Sequence, residues 1–244
     1  MNLHIYENPA AMSGDAAEWI TAYIENHLRE KQKFTFLLTG GNTPKELYSL
    51  LATEKFSKRI DWQKIIFFFG DERFVPYADP HNNGHMVFEL LLKHIPVPQQ
   101  HIHFIQTNID MEESALQYEM LLHEHFPDAE RTFDLALAGI GKDAHTLSVF
   151  PGSTIMYEQT RWVVPSEAPE DPVQRITLTP VVVKHSASIL ILVTGKNKAA
   201  ILDKVIHADY NPQLYPAQIF REGLDNLHWF ADREAMEVVI KNKL

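Results

Sequence analysis

The sequence predicts an α/β fold, a mostly parallel twisted sheet of Rossmann-like type with helices on both faces. Three observations lead there. Four apolar runs of strand length are continuous rather than alternating, at residues 34–39, 65–69, 133–138 and 189–194, as expected of strands covered on both faces. Stretches of helical period separate them, so strand and helix patterns alternate along the chain. Each run also ends in Gly followed by polar residues. In a parallel α/β sheet a ligand sits beyond the carboxyl ends of the strands, where these clusters fall.

The elements follow in order. Ala17, Ile20, Ile24 and Leu28 share one helix face after Ser13, and the run at 34–39 then closes on Gly40 and Gly41. Thr43 is suited to cap the next helix, with Pro44 in its first turn and Glu46 completing a Thr-x-x-Glu capping box; Leu47, Leu50 and Leu51 form its apolar face. The run at 65–69 leads into Gly70, Asp71, Glu72 and Arg73. Ala115, Tyr118 and Leu122 mark a helix after Asp110, and the run at 133–138 ends at Gly139. Residues 166–172 are polar and Pro-rich, which fits a surface loop. The run at 189–194 ends at Gly195, and Ala200, Ile201, Lys204 and Val205 begin a further helix. With no repeat, low-complexity tract or linker, residues 1–244 read as one domain.

Composition narrows the chemistry. The chain has no Cys, which removes disulfides, thiolate nucleophiles and Cys-based metal sites from consideration. A formal net charge of −10 over 244 residues repels nucleic acid and anionic membranes at long range. The first residues have neither a basic segment nor a long apolar one, and no run approaches the roughly 18 apolar residues of a membrane span. A cytoplasmic protein without nucleic-acid or membrane partners is the expectation. No Gly-x-Ser-x-Gly elbow or His-Glu-x-x-His motif is present, so neither a Ser-triad hydrolase nor a metal site is expected.

The strand-end clusters carry the candidate site. Gly40, Gly41, Asn42 and Thr43 precede a helix start, where free backbone N–H groups favour an anion. Asp71 and Arg73 follow the most hydrophobic strand, and a guanidinium there can either pair with its neighbouring carboxylates or hold a phosphate bidentately. Residues 139–144 match Gly-x-Gly-x-x-Ala literally, but Pro151 and Gly152 arrive too soon for the long helix of a dinucleotide fingerprint. Instead Asp143-x-His145 sets a carboxylate beside an imidazole in a Gly-rich turn, an arrangement that orients a neutral, basic His. Arg175 and Lys198 supply further cations, the latter in the first turn of a helix, where the macrodipole disfavours it unless it meets an anion.

Together these stretches resemble the 6-phosphogluconolactonase family, within the wider group that also holds glucosamine-6-phosphate deaminases. The resembling segments are residues 38–44, 70–76, 82–86, 137–152, 175–179 and 215–217, in family order. Asp71-Glu72-Arg73-x-Val75-Pro76, Asn83-x-x-Met86 and His145-Thr146-x-Ser148-x-Phe150-Pro151-Gly152 are similar to the lactonase branch. The Met-Asp-Glu-Tyr and Asn-Glu-Pro stretches of a deaminase are absent. The resemblance implies hydrolysis of 6-phospho-D-glucono-1,5-lactone in the oxidative pentose phosphate pathway, with no cofactor or metal. His145, oriented by Asp143, would be the base; Gly40, Gly41, Asn42, Thr43, Asp71, Arg73, Arg175 and Lys198 would hold the sugar phosphate. A deaminase-like isomerase using Asp71, or a non-catalytic sugar-phosphate sensor, are the alternatives. Ala144 stands where the family usually has Gly, and because Ala avoids positive φ the turn is expected to differ slightly in shape.

Overall fold

A computed structural model describes residues 2–170, 173–221 and 226–242. In chain order the strands are β1 (Asn2–Tyr6), β2 (Phe34–Leu38), β3 (Ile65–Phe69), β4 (Asp71–Arg73), β5 (Leu135–Gly139), β6 (Val163–Glu167), β7 (Gln174–Leu178), β8 (Ile189–Val193) and β9 (Leu227–Asp232). The α-helices are α1 (Pro9–Glu30), α2 (Lys45–Leu51), α3 (Glu54–Ser57), α4 (Asn83–Leu90), α5 (Met111–His125), α6 (Pro180–Val183), α7 (Ala199–His207) and α8 (Arg233–Asn242). Six strands form one parallel sheet in the order β1-β9-β8-β5-β2-β3. The four apolar runs of the sequence are its contiguous part, β8-β5-β2-β3. All five residues of β3 and of β8 are buried, as strands covered on both faces require.

A second, antiparallel sheet of order β4-β7-β6 is not anticipated by the sequence pattern. Its strands are short, and β4 follows β3 after the single residue Gly70, so periodicity offers nothing to separate the two. The expectation of a surface loop over residues 166–172 is corrected in part: Ser166 and Glu167 belong to β6, paired with Arg175 and Gln174. Residues 171 and 172 lie outside the described residues. The short strands β1 and β9 likewise escape the apolar pattern; they pair with each other and extend the sheet beyond β8.

Helix starts follow local chemistry with two corrections. Asp110 caps α5 as expected, its carboxylate accepting from the N–H groups of Glu112 and Glu113 at 3.0 and 3.1 Å. The first helix, however, begins at Pro9 rather than after Ser13, because Asn8 accepts from Ala11 N–H at 2.9 Å and Pro9 sits in its first turn. Ser13 is one of its buried positions. Thr43 does not cap α2, which starts at Lys45 without a side-chain cap. Its hydroxyl pairs instead with that of Thr194, 3.2 Å away, tying the carboxyl ends of β2 and β8 together. No described helix is long and apolar enough to cross a membrane.

The core is one continuous cluster that includes residues of both sheets, with Trp62, Trp229, Phe36, Phe67 and Phe68 among its fully buried side chains. Several histidines pack against it. His103 stacks on Phe68 with ring centroids 5.0 Å apart, and His125 lies 4.7 Å from His103. Burial, with His125 and His101 nearby, lowers the His103 pKa to about 4. His27, His125 and His228 are also lowered, chiefly by burial. The folded state thus prefers these rings neutral while the unfolded chain protonates them near pH 6.5. Their contribution to stability is complete above about pH 6.5 and is lost as pH falls from there through about 4. A urea titration series between pH 7 and pH 4.5 should show a falling midpoint, with a smaller fall in His103→Phe; equal slopes for both proteins would remove His103 from the acid response.

Candidate active site

The carboxyl ends of β2, β3, β5 and β8 border a cavity of about 480 Å³. Every one of the ten candidate residues lines it. From the β2 turn come Gly40, Gly41, Asn42 and Thr43; from β4 and β7 come Asp71, Arg73 and Arg175; from the loop after β5, Asp143 and His145; from the start of α7, Lys198.

The β2 turn depends on its glycines for different reasons. Gly41 has φ +87, a conformation few side chains adopt. Gly40 is required by proximity: a Cβ there would lie 2.0 Å from the Asn83 side-chain oxygen. Asn83 therefore occupies the space of the missing side chain. Its amide donates to the Asp71 carbonyl at 3.0 Å and forms part of the cavity wall.

Asp71, Glu72 and Arg73 constitute β4, so alternate side chains leave opposite faces of the strand. Asp71 and Arg73 line the cavity. Asp71 accepts from the Ser148 hydroxyl at 2.6 Å. Glu72 is buried and does not line the cavity; its carboxylate accepts from the backbone N–H groups of Arg73 (2.8 Å), Asn83 (2.7 Å) and Gly84 (2.7 Å). Burial pushes its carboxyl up to about 7, against the pull of those three bonds.

Register places Arg73 directly opposite Arg175 on the neighbouring strand. Like charges facing across a sheet repel. Arg73 donates to the His81 carbonyl at 3.0 Å. Arg175 is only 7% exposed, and its Nε and Nη1 have no hydrogen-bond partner. Burial and the facing Arg73 lower its pKa, partly opposed by Asp71 and Glu72. Two guanidiniums in this state are poised for an anion that would neutralise their repulsion and accept the unused N–H groups.

The loop after β5 holds the other half of the site. Asp143 accepts from His145 Nδ1 at 2.6 Å and from the His145 backbone N–H at 3.2 Å. A carboxylate can only accept, so Nδ1 carries the proton and Nε2 is left as the basic atom. Burial raises the Asp143 pKa, but its bond to His145 and the accompanying attraction outweigh this and hold it below the ordinary carboxylate value. Gly141 makes the pairing possible: a Cβ there would sit 2.0 Å from His145 Nδ1 and 2.6 Å from Asp143 Oδ1. The second Gly of the Gly-x-Gly sequence thus makes room for an imidazole rather than a pyrophosphate. Phe150 packs against the ring, with centroids 4.6 Å apart.

The expectation that Ala144 avoids positive φ is overturned. Ala144 has φ +70 and Leu147 has φ +54. Surrounding bonds impose the turn: Gly141 N–H donates to the His145 carbonyl at 2.8 Å, Ala144 N–H to the Gly141 carbonyl at 3.2 Å, and Ala217 N–H to the Ala144 carbonyl at 2.9 Å. The loop therefore takes the glycine-like conformation with alanine in it and bears the strain.

Lys198 is half-buried, and burial lowers its pKa against the attraction of Asp143. It occupies the cap position of α7, after a Gly195 with φ +94. Asn83, Ser148 and Phe150 are parts of the wall that sequence reasoning does not single out. All three lie in stretches that carry the family resemblance, but only the antiparallel sheet and the start of α4 bring Asn83 beside Gly40. Among the described residues, no group of three or more His, Asp or Glu side chains is arranged to hold a metal ion.

The strain at Ala144 can be tested by substitution. Ala144→Gly relieves about 1–2 kcal/mol of left-handed strain but loses a buried methyl and gains unfolded-state entropy, effects of about 1 kcal/mol each. Stability should therefore change by no more than about 1 kcal/mol. Ala144→Val adds a β-branched side chain at φ +70 in a fully buried position and should cost at least about 2 kcal/mol. Chemical denaturation that ranked Val equal to Ala would contradict this turn geometry.

Comparison with known proteins identifies the family. A 6-phosphogluconolactonase of Synechocystis sp. is 33% identical over 226 residues, covering 89% of this chain and 90% of its own. That of Haemophilus influenzae is 32% identical over 202 residues, covering 83% and 86%. The solved structure of 6-phosphogluconolactonase from Trypanosoma cruzi superposes with a TM-score of 0.84 at 29% identity, covering 97% of this chain and 96% of that one. A monomeric glucosamine-6-phosphate deaminase shares the fold, with a TM-score of 0.81 at 22% identity. Residues 7–229 match the family model described as glucosamine-6-phosphate isomerases/6-phosphogluconolactonase. With that match over most of its length, and lactonase relatives above 30% identity, the chain belongs to that family.

Proposed function

We propose that this protein is a 6-phosphogluconolactonase, hydrolysing 6-phospho-D-glucono-1,5-lactone to 6-phosphogluconate in the oxidative pentose phosphate pathway. The observation that carries the reading is the presence, in one cavity, of a His held by a carboxylate and a buried Arg175 whose Nε and Nη1 lack hydrogen-bond partners. The lactonase relatives at 32–33% identity support it over the deaminase, whose likeness is one of fold. The whole chain acts as one domain, in the cytoplasm, as a monomer or homodimer.

In the proposed mechanism the 6-phosphate lies among Arg73, Arg175, Lys198 and the Gly40–Thr43 turn. Asp71, fixed by Ser148, accepts from a sugar hydroxyl. His145 Nε2 takes a proton from water as the water oxygen bonds to C1, and the carbonyl electrons move to oxygen. Asp143 stabilises the imidazolium that forms. Collapse of the tetrahedral species breaks the bond from C1 to the ring oxygen, which receives the proton back from His145. The product is the open-chain acid. A lactone is already electrophilic, so one base and accurate positioning suffice.

A pH-indicator assay with freshly generated lactone, corrected for spontaneous hydrolysis, should show enzyme-dependent acid release; a rate equal to background would sink the proposal. His145→Ala should lower kcat about 100-fold or more with KM little changed. Gly141→Ala, which displaces the imidazole, should reduce kcat comparably in a folded protein. Activity within a few-fold of wild type in either would remove the imidazole from the base role. Arg175→Ala should raise KM at least about tenfold, a loss consistent with one buried charged hydrogen-bonding group. An unchanged KM would place the phosphate elsewhere.

A further inference from the structure

Glu72 is a titratable group beside the cavity that the mechanism leaves unused. It is 2% exposed and does not line the cavity, yet it sits between two cavity-lining residues of its own strand. Its carboxylate gathers three backbone N–H groups from two separate segments, one from Arg73 and two from the first turn of α4. Residues 74–82 intervene between those segments, and within them the His81 carbonyl holds the Arg73 guanidinium.

Charge at this position is costly, since burial alone disfavours it. The arrangement explains the choice of side chain. Three donors converge on two oxygens, and an amide offers only one oxygen. The substitution Glu72→Gln would turn an NH₂ group against at least one of the three N–H donors, whereas a carboxylate accepts from all of them and also favours the helix N-terminus.

We infer that Glu72 is a positioning residue for substrate binding: by tying β4 to the start of α4, its carboxylate sets both the Arg73 guanidinium and the Asn83 amide in the cavity wall. The coupling runs through two contacts. Asn83, whose backbone Glu72 holds, fills the space above Gly40 and so braces the β2 turn. Arg73, whose backbone Glu72 also holds, faces Arg175 across the sheet. Loosening the carboxylate would therefore misplace the anion-binding side of the cavity and leave the Asp143–His145 pair, on the loop after β5, intact. This inference rests on the lactonase reading for its substrate but has a separate readout.

The test is a double-mutant cycle with Glu72→Gln and Arg73→Ala. Glu72→Gln should raise KM about tenfold or more with kcat within about threefold of wild type, because a modest misplacement of binding groups is expensive while the base is untouched. Added to Arg73→Ala, it should raise KM less than it does alone, since the part that acts through Arg73 is already lost and only the part that acts through Asn83 remains. Asp110→Ala is the control for general loosening. It removes the cap of α5, which accepts from the N–H groups of Glu112 and Glu113, and touches neither β4 nor α4, so it should lower Tm with KM unchanged. Should Glu72→Gln fail to fold, Glu72→Asp, too short to reach all three donors, is put through the same cycle. An unchanged KM, a loss confined to kcat, or fully additive effects on KM would overturn the inference. If the wild type hydrolyses no lactone, the preceding reading fails instead, and the cycle is read from the dissociation constant of inorganic phosphate. There the same non-additive weakening supports the role of Glu72, and its absence refutes it.

Discussion

When β2, β3, β5 and β8 run side by side in one direction, their carboxyl ends reach the same edge of the sheet. Each chain must turn there, and each turn presents backbone and polar side chains to the same space. Gly40, Arg73, His145 and Lys198 are far apart in sequence but share one cavity for this reason. The apolar residues of the strands are therefore responsible for the location of the site, although none of them performs its chemistry.

The turns bear a stability cost that the core offsets. Ala144 and Leu147 hold positive φ, each at about 1–2 kcal/mol. Arg73 faces Arg175, Arg175 leaves donors unused, and Glu72 is a carboxylate in a buried setting. Each would be a fault if the protein only had to fold. All of these lie beside the cavity, a location that supports the binding and catalysis proposed there. The net charge of −10 has a consistent place in this picture. On the proposed function, the local cations attract the small anionic substrate at short range, while the surrounding negative charge would disfavour large polyanions.

Much of this is legible in the residues. The buried parallel strands are recorded in continuous apolar runs, because a strand covered on both faces has no polar side. Asp143 and His145 are close enough in sequence for a turn to pair them, so that contact can be read directly. The antiparallel sheet is not legible. Its strands are short, β4 is three residues long, and nothing local distinguishes strand from loop at that length. Thr43 illustrates the same limit. Its sequence context is that of a helix cap, but its hydroxyl is engaged by Thr194, a residue 151 positions away.

The α/β class, the central strands, the pairing of His145 with Asp143 and the residue types available for chemistry can be read from the residues, since all of these follow from periodicity or from neighbours a few positions apart. Only the folded chain sets Arg73 opposite Arg175, fills the space over Gly40 with Asn83, and holds Ala144 at φ +70. Those outcomes depend on contacts between segments distant in the chain. Their energies exceed the local preferences of the residues involved, and no local pattern records them.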